Sequence, residues 1–313
     1  MKTSPTAADV APDGAQAIAE VRKAPGQIAT LILPADTAWN EAEGIAHVPE
    51  IPAPAKVEDD AVAACTKILR SGEPTLLMVG GKALRAEALE VASRIANQAG
   101  AMLMTEFGTA RTERGAGRVS VPRIPYVVDE ALRVTRPYKH IILVGAKVPV
   151  AFFAYPDQPS VLIPETCEPH ILARAEEDVL HALLWLSDEL GATNTEPTLQ
   201  TPERPDLRSG ALDPDAIGAA IGHLLPENAI VSDESLTAGR GVAPFTVGCP
   251  PHDWLYGTGG SIGRGLPEAT GAAVACPNRK VLSLSGDGSA MYTVQALLDT
   301  GAGKLGCHHS DFC

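Results

Sequence analysis

Short apolar runs alternate with helix-like segments along the middle of this chain, and this alternation is the strongest constraint on its fold. Residues 75–79 and 139–145 are apolar runs of strand length, and residues 83–98 between them have the pattern of an amphipathic helix. Strands that alternate with helices favour a parallel sheet with helices on both faces. We therefore predict an α/β fold built from doubly wound parallel sheets.

Two polar, proline-containing stretches divide the 313 residues into segments. Pro49, Pro52 and Pro54 indicate an extended linker in the first stretch, and the second is also polar and rich in proline. The predicted organisation is a partial domain at residues 1–45, a linker at 46–57, a complete central domain at 58–191, a linker at 192–209 and a partial domain at 210–313. The first partial domain offers one helix and one strand, which cannot bury their apolar faces without further elements.

The same patterns place the individual elements. For the N-terminal segment we predict a helix at 15–21 and a strand at 27–33. For the central domain we predict strands at 75–79, 101–105, 139–145 and 160–163, and helices at 58–70, 83–98 and 171–190. For the C-terminal segment we predict strands at 228–232, 253–256 and 280–285, and helices at 214–225, from 266 and from 290. Asp213 and Pro214 form a typical helix start, with an N-cap followed by proline at the first helical position.

Charge and composition exclude several classes of function. A formal net charge of −13 argues against binding of nucleic acid or of anionic membrane surfaces. No apolar run reaches the length of a membrane span and the N-terminus lacks the apolar core of a signal peptide, so we expect a cytoplasmic protein. The six cysteines are scattered without a Cys-x-x-Cys pair, which predicts free thiols rather than a metal site or disulfides.

Gly286-Asp287-Gly288-Ser289 lies where the predicted strand at 280–285 passes into a helix. Glycine allows a tight turn and a close approach of the backbone to a ligand. Asp287 offers a hard oxygen ligand for Mg²⁺, and free N–H groups at a helix start suit a phosphate. Taken alone, the motif is equally compatible with an ordinary turn between a strand and a helix.

A second glycine-rich stretch, Tyr256-Gly-Thr-Gly-Gly-Ser-Ile-Gly-Arg-Gly-Leu-Pro-Glu268, lies upstream of that motif. Together the two stretches resemble the diphosphate-binding domain of thiamine diphosphate (ThDP) enzymes, of the acetolactate synthase large subunit and benzoylformate decarboxylase type. Residues 27–36, ending in Pro-Ala-Asp, resemble the end of that family's pyrimidine-binding domain, and residues 58–191 resemble its central domain. The resemblance implies that most of the pyrimidine-binding domain and the end of the diphosphate-binding domain are missing.

The resemblance also implies roles for individual residues. Asp287 would ligate the Mg²⁺ that bridges the diphosphate, and Gly288 and Ser289 would contact the diphosphate itself. Ile262 matches the bulky residue that bends the cofactor, and the Gly260 carbonyl would accept a hydrogen bond from its aminopyrimidine. The predicted cofactor-binding residues are Gly259, Gly260, Ser261, Ile262, Gly286, Asp287, Gly288 and Ser289, with Asp287 as the metal ligand.

The function implied by the resemblance is that of a ThDP- and Mg²⁺-dependent carboligase acting on a small 2-keto acid, as acetolactate synthase does. A decarboxylase similar to benzoylformate decarboxylase is an alternative, and a non-catalytic remnant or interaction protein is another. Intact members of the family are expected to be homo-oligomers. FAD, which some members hold, is not supported, because no Gly-x-Gly-x-x-Gly sequence directly follows a predicted strand; the match at residues 301–306 follows a predicted helix. The same absence argues against a nicotinamide-dependent oxidoreductase.

Two residues that the family uses have no assigned counterpart. Its proton relay begins at a Glu of the pyrimidine-binding domain, and no Glu of this chain can be given that role, so we assign no catalytic residue. Its second Mg²⁺ ligand is an Asn expected near or just past Cys313, but no Asn follows Asn278. We therefore expect this chain to be inactive on its own.

Several polar residues keep more than one interpretation. Asp233 and Glu234 end a predicted strand, where they either belong to the site or form a solvated strand end. His252 either faces the substrate or has a structural role, which is commoner for a lone histidine. His308 and His309 resemble a metal-binding pair only superficially. Residues 111–125 are predicted to be a loop whose arginines pair with acidic groups or bind an anion, namely Arg111, Arg114, Arg118 and Arg123.

From Leu298 onward the sequence departs from the family pattern. Residues 299–303 are expected to end a helix begun at 292–297, and residues 306–313 show no strand periodicity. With suitable synonymous codons, the adjacent reading frame encodes a helix end followed by an apolar strand. We therefore hypothesise a frameshift over residues 298–313. The nucleotide sequence tests it, since the hypothesis fails if the adjacent frame does not encode that strand.

Overall fold

The computed structural model describes residues 1–303 and 306–312, without the side chains of residues 238, 240, 302 and 308–312. The strands are β1 (Lys2–Thr3), β2 (Leu31–Ile32), β3 (Thr75–Val79), β4 (Met102–Thr105), β5 (Arg111–Arg114), β6 (His140–Val144), β7 (Glu168–Ala173), β8 (Ile230–Glu234), β9 (His252–Tyr256), β10 (Val281–Gly286) and β11 (Cys307–Phe312). The α-helices are α1 (Ala7–Arg22), α2 (Ala35–Trp39), α3 (Asp59–Arg70), α4 (Ala86–Ala99), α5 (Val128–Thr135), α6 (Val179–Leu190), α7 (Pro214–Leu224), α8 (Val242–Phe245), α9 (Gly265–Ala275), α10 (Asp287–Met291) and α11 (Ala296–Ala302). Within the described residues, no helix combines the length and apolar character needed to span a bilayer.

The first large sheet is parallel throughout, with the strand order β4-β3-β6-β7. Successive side chains of a strand point to opposite faces. Leu77 and Val79 of β3 pack in the core with α3, α4 and α6, whereas Leu76 and Met78 pack in the core that includes α5. Helices therefore cover both faces, which explains why β3 is apolar without alternation. The predicted doubly wound parallel architecture is confirmed in this sheet.

The second large sheet has the order β11-β10-β8-β9-β5 and carries the glycine-rich motifs. Its first four strands are parallel, and β5 pairs antiparallel with β9. Val231 and Leu284 pack in one core with residues of α7, and Ile230 and Val281 pack in another with residues of α9. The Asp213 side chain accepts a hydrogen bond from the Ala216 N–H and Pro214 opens α7, as the sequence predicted.

The N-terminal residues form a small parallel sheet of β1 and β2 together with α1 and α2. The predicted helix at 15–21 begins earlier, at Ala7. Thr6 and Asp9 form a capping box there, in which the Thr6 N–H donates to the Asp9 carboxylate, and this stabilises the first turn of the helix. The predicted strand at 27–33 pairs only at Leu31–Ile32. Backbone pairing with β1, which the apolar run does not encode, limits its length.

Three predictions in the middle of the chain are wrong. Residues 160–163 form no strand and make only an isolated bridge between Val150 and Val161. Residues 171–173 belong to β7 instead of a helix, and α6 begins at Val179, because a short apolar run does not distinguish a strand from a buried helix. The predicted loop at 111–125 contains β5, whose pairing with β9 depends on a strand far away in the sequence.

The tail is more regular than the sequence suggested. The predicted helix from 290 is wrong as one element, because residues 292–295 form turns between α10 and α11. Residues 299–303 do not end a helix at 297 either, since α11 spans Ala296–Ala302 and the Thr300 hydroxyl lies 2.7 Å from that of Thr270 on α9. The expectation of no strand in residues 306–313 is also wrong, because β11 pairs parallel with β10. Backbone hydrogen bonds make this pairing, so it does not require alternating side chains.

Candidate functional site

The carboxyl ends of β10, β8 and β9 bring the predicted site residues to one edge of the second sheet. These neighbouring strands are parallel, so their carboxyl ends face the same way. The glycine loop, residues 257–264, follows β9, and Gly286-Asp287-Gly288-Ser289 follows or ends β10. Ligands of doubly wound sheets bind at this edge. The two motifs, separate in sequence, are thus neighbours in the fold.

Direct contacts connect the glycine loop to the segment that follows α10. The Thr293 hydroxyl donates a 2.6 Å hydrogen bond to the Gly263 carbonyl. Gly263 has φ +86°, and a Cβ atom at this position would lie 2.6 Å from the Cβ of Tyr292. Both the backbone conformation and the close approach therefore require glycine.

Glu234 fixes the end of the loop and the start of α9. Its buried carboxylate accepts hydrogen bonds from the Arg264 N–H at 3.0 Å and from the Gly265 N–H at 3.1 Å. Asp233 accepts from the Trp254 indole N–H at 3.0 Å. The interpretation as a solvated strand end is therefore wrong for both residues. Glu234 holds the backbone at the start of α9, and Asp233 holds the Trp254 indole.

Asp287 is the first residue of α10 and directly follows β10. Its side chain is exposed, and no described residue makes a hydrogen bond or ion pair with its carboxylate. A Cβ atom at Gly288 would meet nothing within 4 Å, whereas Ser289 is buried. The motif therefore presents an exposed carboxylate and open backbone to the outside, while its last residue is buried.

The glycine loop is open on one side and covered on the other. Ile262 is 43% exposed, and Gly259 has free space at its Cβ position. Over Gly260, in contrast, a Cβ atom would lie 2.3 Å from the Phe152 ring, so this aromatic side chain covers the loop. Ser261 is exposed. The eight predicted residues lie on one edge of the sheet, in two strand-end segments.

Phe152 was missed by sequence reasoning, because it comes from a segment far away in the chain. It belongs to an aromatic cluster with ring centroids 4.8–6.5 Å apart, formed by Phe107, Tyr126, Phe152, Phe153 and Tyr155. The only signal in the sequence is the local grouping of the last three residues. The fold is needed to bring them beside Gly260.

His252 does not face the site. It is the first residue of β9 and so lies at the end of the strand opposite to the glycine loop. Its ring is fully buried, with Nδ1 2.8 Å from the Pro250 carbonyl. Burial lowers the pKa of His252 to about 4, so the imidazole is neutral near pH 7. The structural interpretation is the correct one.

The arginines of residues 111–125 are occupied by protein groups. Arg111 pairs with Glu113 at 3.0 Å and with the buried Asp253 at 3.2 Å. Arg114 hydrogen-bonds the Tyr256 hydroxyl at 3.1 Å and lies over the Trp254 ring. Arg118 donates to the His252 carbonyl, and Arg123 lies 4.2 Å from the Tyr256 ring centroid. Arg111 therefore fits the predicted pairing with acidic groups, whereas the other three arginines contact hydroxyl, carbonyl or aromatic groups instead.

The sequence position at which the resemblance places the second Mg²⁺ ligand lies next to the end of β11. The register pairs Phe312 with Gly286, so β11 approaches the edge that carries Asp287. Cys313 lies outside the described residues. The side chains of His308 and His309 are also outside them, so their interpretation stays a prediction.

Comparisons with known proteins agree with this geometry. Residues 241–305, which include both motifs, match the family model described as "Thiamine pyrophosphate enzyme, C-terminal TPP binding domain". A Mycobacterium tuberculosis protein described as "Putative acetolactate synthase large subunit IlvX" is 45% identical over 298 residues, or 95% of this chain and 57% of that protein. Residues 241–305 thus belong to the C-terminal domain family of thiamine pyrophosphate enzymes. Benzoylformate decarboxylase of Pseudomonas aeruginosa is 30% identical over 186 residues, 56% of this chain and 35% of that enzyme.

Solved structures of ThDP-dependent enzymes share the fold of this chain. The thiamine diphosphate-dependent 4-hydroxybenzoylformate decarboxylase of Rhodococcus jostii RHA1 superposes with a TM-score of 0.78 at 22% identity, over 99% of this chain and 63% of that one. At this identity the likeness concerns fold alone. The chain thus spans 57% of the length of its M. tuberculosis relative and 63% of that solved structure.

Proposed function

We propose that this chain binds thiamine diphosphate and Mg²⁺ at the edge formed by the glycine loop and Asp287. The observation that carries the proposal is the contact between the glycine loop and the segment that follows α10, made by the Thr293 hydroxyl with the Gly263 carbonyl at 2.6 Å. The exposed carboxylate of Asp287 and the open space at Gly288 are compatible with a metal-bridged diphosphate. The exposed Ile262 is compatible with an apolar contact to the cofactor rings.

Each residue would contribute one function to the site. Asp287 would hold Mg²⁺, and Gly286, Gly288 and Ser289 would surround the diphosphate. Gly259, Gly260, Ser261 and Ile262 would bind the rings, and Glu234 keeps their loop in place through Arg264 and Gly265. When bound, the cofactor supplies a carbon nucleophile and an electron sink for the loss of CO₂ from a 2-keto acid. The protein's own contribution would be binding and orientation.

We favour a carboligase similar to acetolactate synthase over a decarboxylase similar to benzoylformate decarboxylase. The support is that the synthase-like relative is 45% identical over 298 residues, against 30% over 186 residues for the decarboxylase. The substrate would be a 2-keto acid, and the complete enzyme would be a cytoplasmic homo-oligomer. Because no Glu of this chain is assigned to the proton relay, we propose that the 313 residues alone bind cofactor without turnover.

Titration calorimetry with ThDP tests the cofactor site. We expect binding in the presence of Mg²⁺ and loss of binding when EDTA removes it. Asp287→Ala should weaken binding at least about tenfold, which corresponds to about 1.4 kcal/mol. Asp206 is exposed and distant in sequence from both motifs, so Asp206→Ala is the matched control and should bind as the parent does. Equal affinity of the Asp287→Ala and parent chains would contradict the proposal.

Product analysis separates the two candidate reactions. The chain is incubated with pyruvate or benzoylformate, alone and with a full-length relative that supplies a complete site. Acetolactate formed from pyruvate above the relative's own rate supports the carboligase, and benzaldehyde from benzoylformate supports the decarboxylase. Turnover by the chain alone would contradict its proposed inactivity.

A further inference from the structure

Three potential metal ligands converge at the start of β6 and on the edge strand β7. His140 opens β6 and pairs in register with Glu168, while His170 lies two residues further along β7. Alternate residues of a strand share a face, so all three side chains lie on the same side of the sheet. His140 Nδ1 and His170 Nε2 are 3.1 Å apart, and Glu168 Oε2 lies 3.9 Å and 4.0 Å from these nitrogens.

These separations suit a single ion. Zn²⁺ binds nitrogen and oxygen ligands at about 2.0–2.2 Å in tetrahedral geometry, which separates the ligand atoms by roughly 3.3 Å. The two histidine nitrogens are already near that separation, and the Glu168 side chain is 73% exposed and so can rotate towards them. The His140 and His170 side chains are 14% and 24% exposed, so their rings are partly fixed by the surrounding protein.

A carboxylate behind His140 prepares the ring for metal binding. Glu73 Oε2 lies 2.9 Å from His140 Nε2, on the side of the ring away from the cluster. A proton on Nε2, donated to this carboxylate, leaves the Nδ1 lone pair directed at His170 and Glu168. Metal-bound histidines usually donate their second nitrogen in this way, which fixes the tautomer and raises ligand basicity. Glu73 is in turn held by Lys139, whose ammonium lies 2.5 Å from its other carboxylate oxygen.

The second histidine is placed to share the ion with the first. Its side chain is 24% exposed and lies on the same face of the sheet as that of His140. Without a metal, one ring nitrogen can donate a hydrogen bond to the other across the 3.1 Å gap. A metal ion would replace that single hydrogen bond with three ligand bonds.

We infer that His140, His170 and Glu168 form a binding site for a divalent transition metal of the Zn²⁺ type, with Glu73 as the positioning residue of His140. Two nitrogens and one carboxylate oxygen favour Zn²⁺ over Mg²⁺ or Ca²⁺, which prefer oxygen ligands. The site lies at the amino-terminal end of β6 and in the first large sheet, whereas the ThDP motifs lie in the second. The ion would connect the edge strand β7 to β6.

Calorimetric titration of the full chain with Zn²⁺, after treatment with a chelator, tests the site. The background carries His308→Ala and His309→Ala, so that the tail histidines do not add a second site. We expect one equivalent to bind, and His170→Ala or Glu168→Gln to weaken it at least about 100-fold and tenfold, respectively. His47 is exposed, and His47→Ala is the control that should leave binding unchanged.

Because Glu168 is mostly exposed, Glu168→Gln should fold even if a histidine variant does not. Glu73→Gln should reduce affinity by about 10–100-fold without removing a ligand, as expected for a positioning residue. Co²⁺ substituted for Zn²⁺ should give visible bands of a nitrogen and oxygen site, without the near-ultraviolet charge-transfer band of a thiolate ligand. Absence of binding, unchanged affinity of Glu168→Gln and His170→Ala, or a thiolate band would overturn the inference. ThDP affinity, measured in parallel, should be unaffected by these variants.

Discussion

Gly145 illustrates how one residue can be fixed by two separate constraints. It follows β6 with φ +63°, and a Cβ atom there would lie 2.7 Å from the Gly80 carbonyl oxygen. We expect Gly145→Ala to lower the free energy of unfolding by roughly 2–4 kcal/mol, since backbone strain and overpacking both contribute. Gly100 has a similar φ of +68° with nothing within 4 Å, so Gly100→Ala isolates the backbone term and should cost about 1–2 kcal/mol. Urea unfolding compares the two, and equal losses would show that the close contact is unimportant.

His252 should make the second sheet sensitive to mild acid. Its pKa is lowered to about 4 by burial, against about 6.5 in an unfolded chain, so below pH 6.5 the unfolded state takes up a proton that the folded state does not. The contribution of the neutral His252 to the free energy of unfolding is therefore fully present above about pH 6.5 and is lost as the pH falls towards 4. Between about pH 7.5 and 5.5 we expect a loss of roughly 1 kcal/mol.

The measurement is urea unfolding at both pH values, followed by the fluorescence of Trp254, whose ring lies 5.8 Å from that of His252. Trp39→Phe and Trp185→Phe remove the other two tryptophans. In this background, His252→Gln should reduce the pH dependence, whereas His47→Gln should leave it as it was. An unchanged dependence in the His252→Gln chain would contradict the assignment.

At this scale, the sequence identifies residues whose role depends on local backbone and misses those whose role depends on distant partners. The motif around Asp287 and the glycine at 263 could be recognised because tight turns need particular residue types. Glu234 could be placed at a strand end, but its bonds to Arg264 and Gly265 depend on how two strands align. The contact between the His140 and His170 rings likewise depends on the register of β6 and β7, which the sequence alone does not give.

Among the elements, α9 depends on a side chain from the neighbouring strand. Glu234 at the end of β8 accepts hydrogen bonds from the first N–H groups of α9, which no residue within the helix can satisfy. Glu234→Gln keeps the size but offers one carbonyl oxygen to two donors. We expect a loss of about 1–3 kcal/mol in stability and faster proteolysis within the glycine loop.

Limited proteolysis with mass spectrometry and thermal unfolding measure these effects. Glu227 is exposed, and Glu227→Gln is a matched change of charge that should alter neither. ThDP affinity should fall in the Glu234→Gln chain because the loop would no longer be held. Unchanged cleavage and unchanged affinity together would mean that the loop does not depend on this carboxylate.

Elements with strong periodicity or buried apolar runs were predicted well, and those formed by pairing were not. β3 and β6 were recognisable because both of their faces are buried. β5 has the sequence Arg-Thr-Glu-Arg and is half-buried, so it carries no apolar signal, and β11 is likewise specified by backbone pairing with β10. Strand preference depends on the neighbouring strand, which explains both omissions.

At the scale of the whole molecule, β5 connects the two large sheets. It lies in the chain between β4 of the first sheet and α5, yet it pairs with β9 of the second sheet. The Ala86 N–H at the start of α4 donates to Glu113 on β5 at 2.9 Å, and Arg85 donates to the Arg111 carbonyl at 2.7 Å. Folding of one sheet should therefore depend on folding of the other.

The buried Asp253 helps to hold β5 in the second sheet through an ion pair. It is 3% exposed and pairs with Arg111 of β5 at 3.2 Å and with Arg279 before β10 at 2.6 Å. Asp253→Asn removes the buried negative charge with which both arginines pair. We expect the free energy of unfolding to fall by about 2 kcal/mol, which is less than for a fully buried pair because the arginines are partly exposed. Because this change weakens the attachment of β5 to the second sheet, and β5 connects the two sheets, we expect the sheets to unfold less cooperatively.

Differential scanning calorimetry measures this cooperativity as the ratio of the van't Hoff to the calorimetric enthalpy. The parent chain should show a dominant single transition, and the Asp253→Asn chain should show two, with the earlier one reported by Trp254 fluorescence because that residue lies on β9. Asp206→Asn makes the same change in charge at an exposed position and should leave the single transition intact. Two transitions already present in the parent would mean that β5 does not couple the sheets. A single transition in Asp253→Asn, shifted only in temperature, would assign the coupling to the β5–β9 backbone pairing instead of the ion pairs.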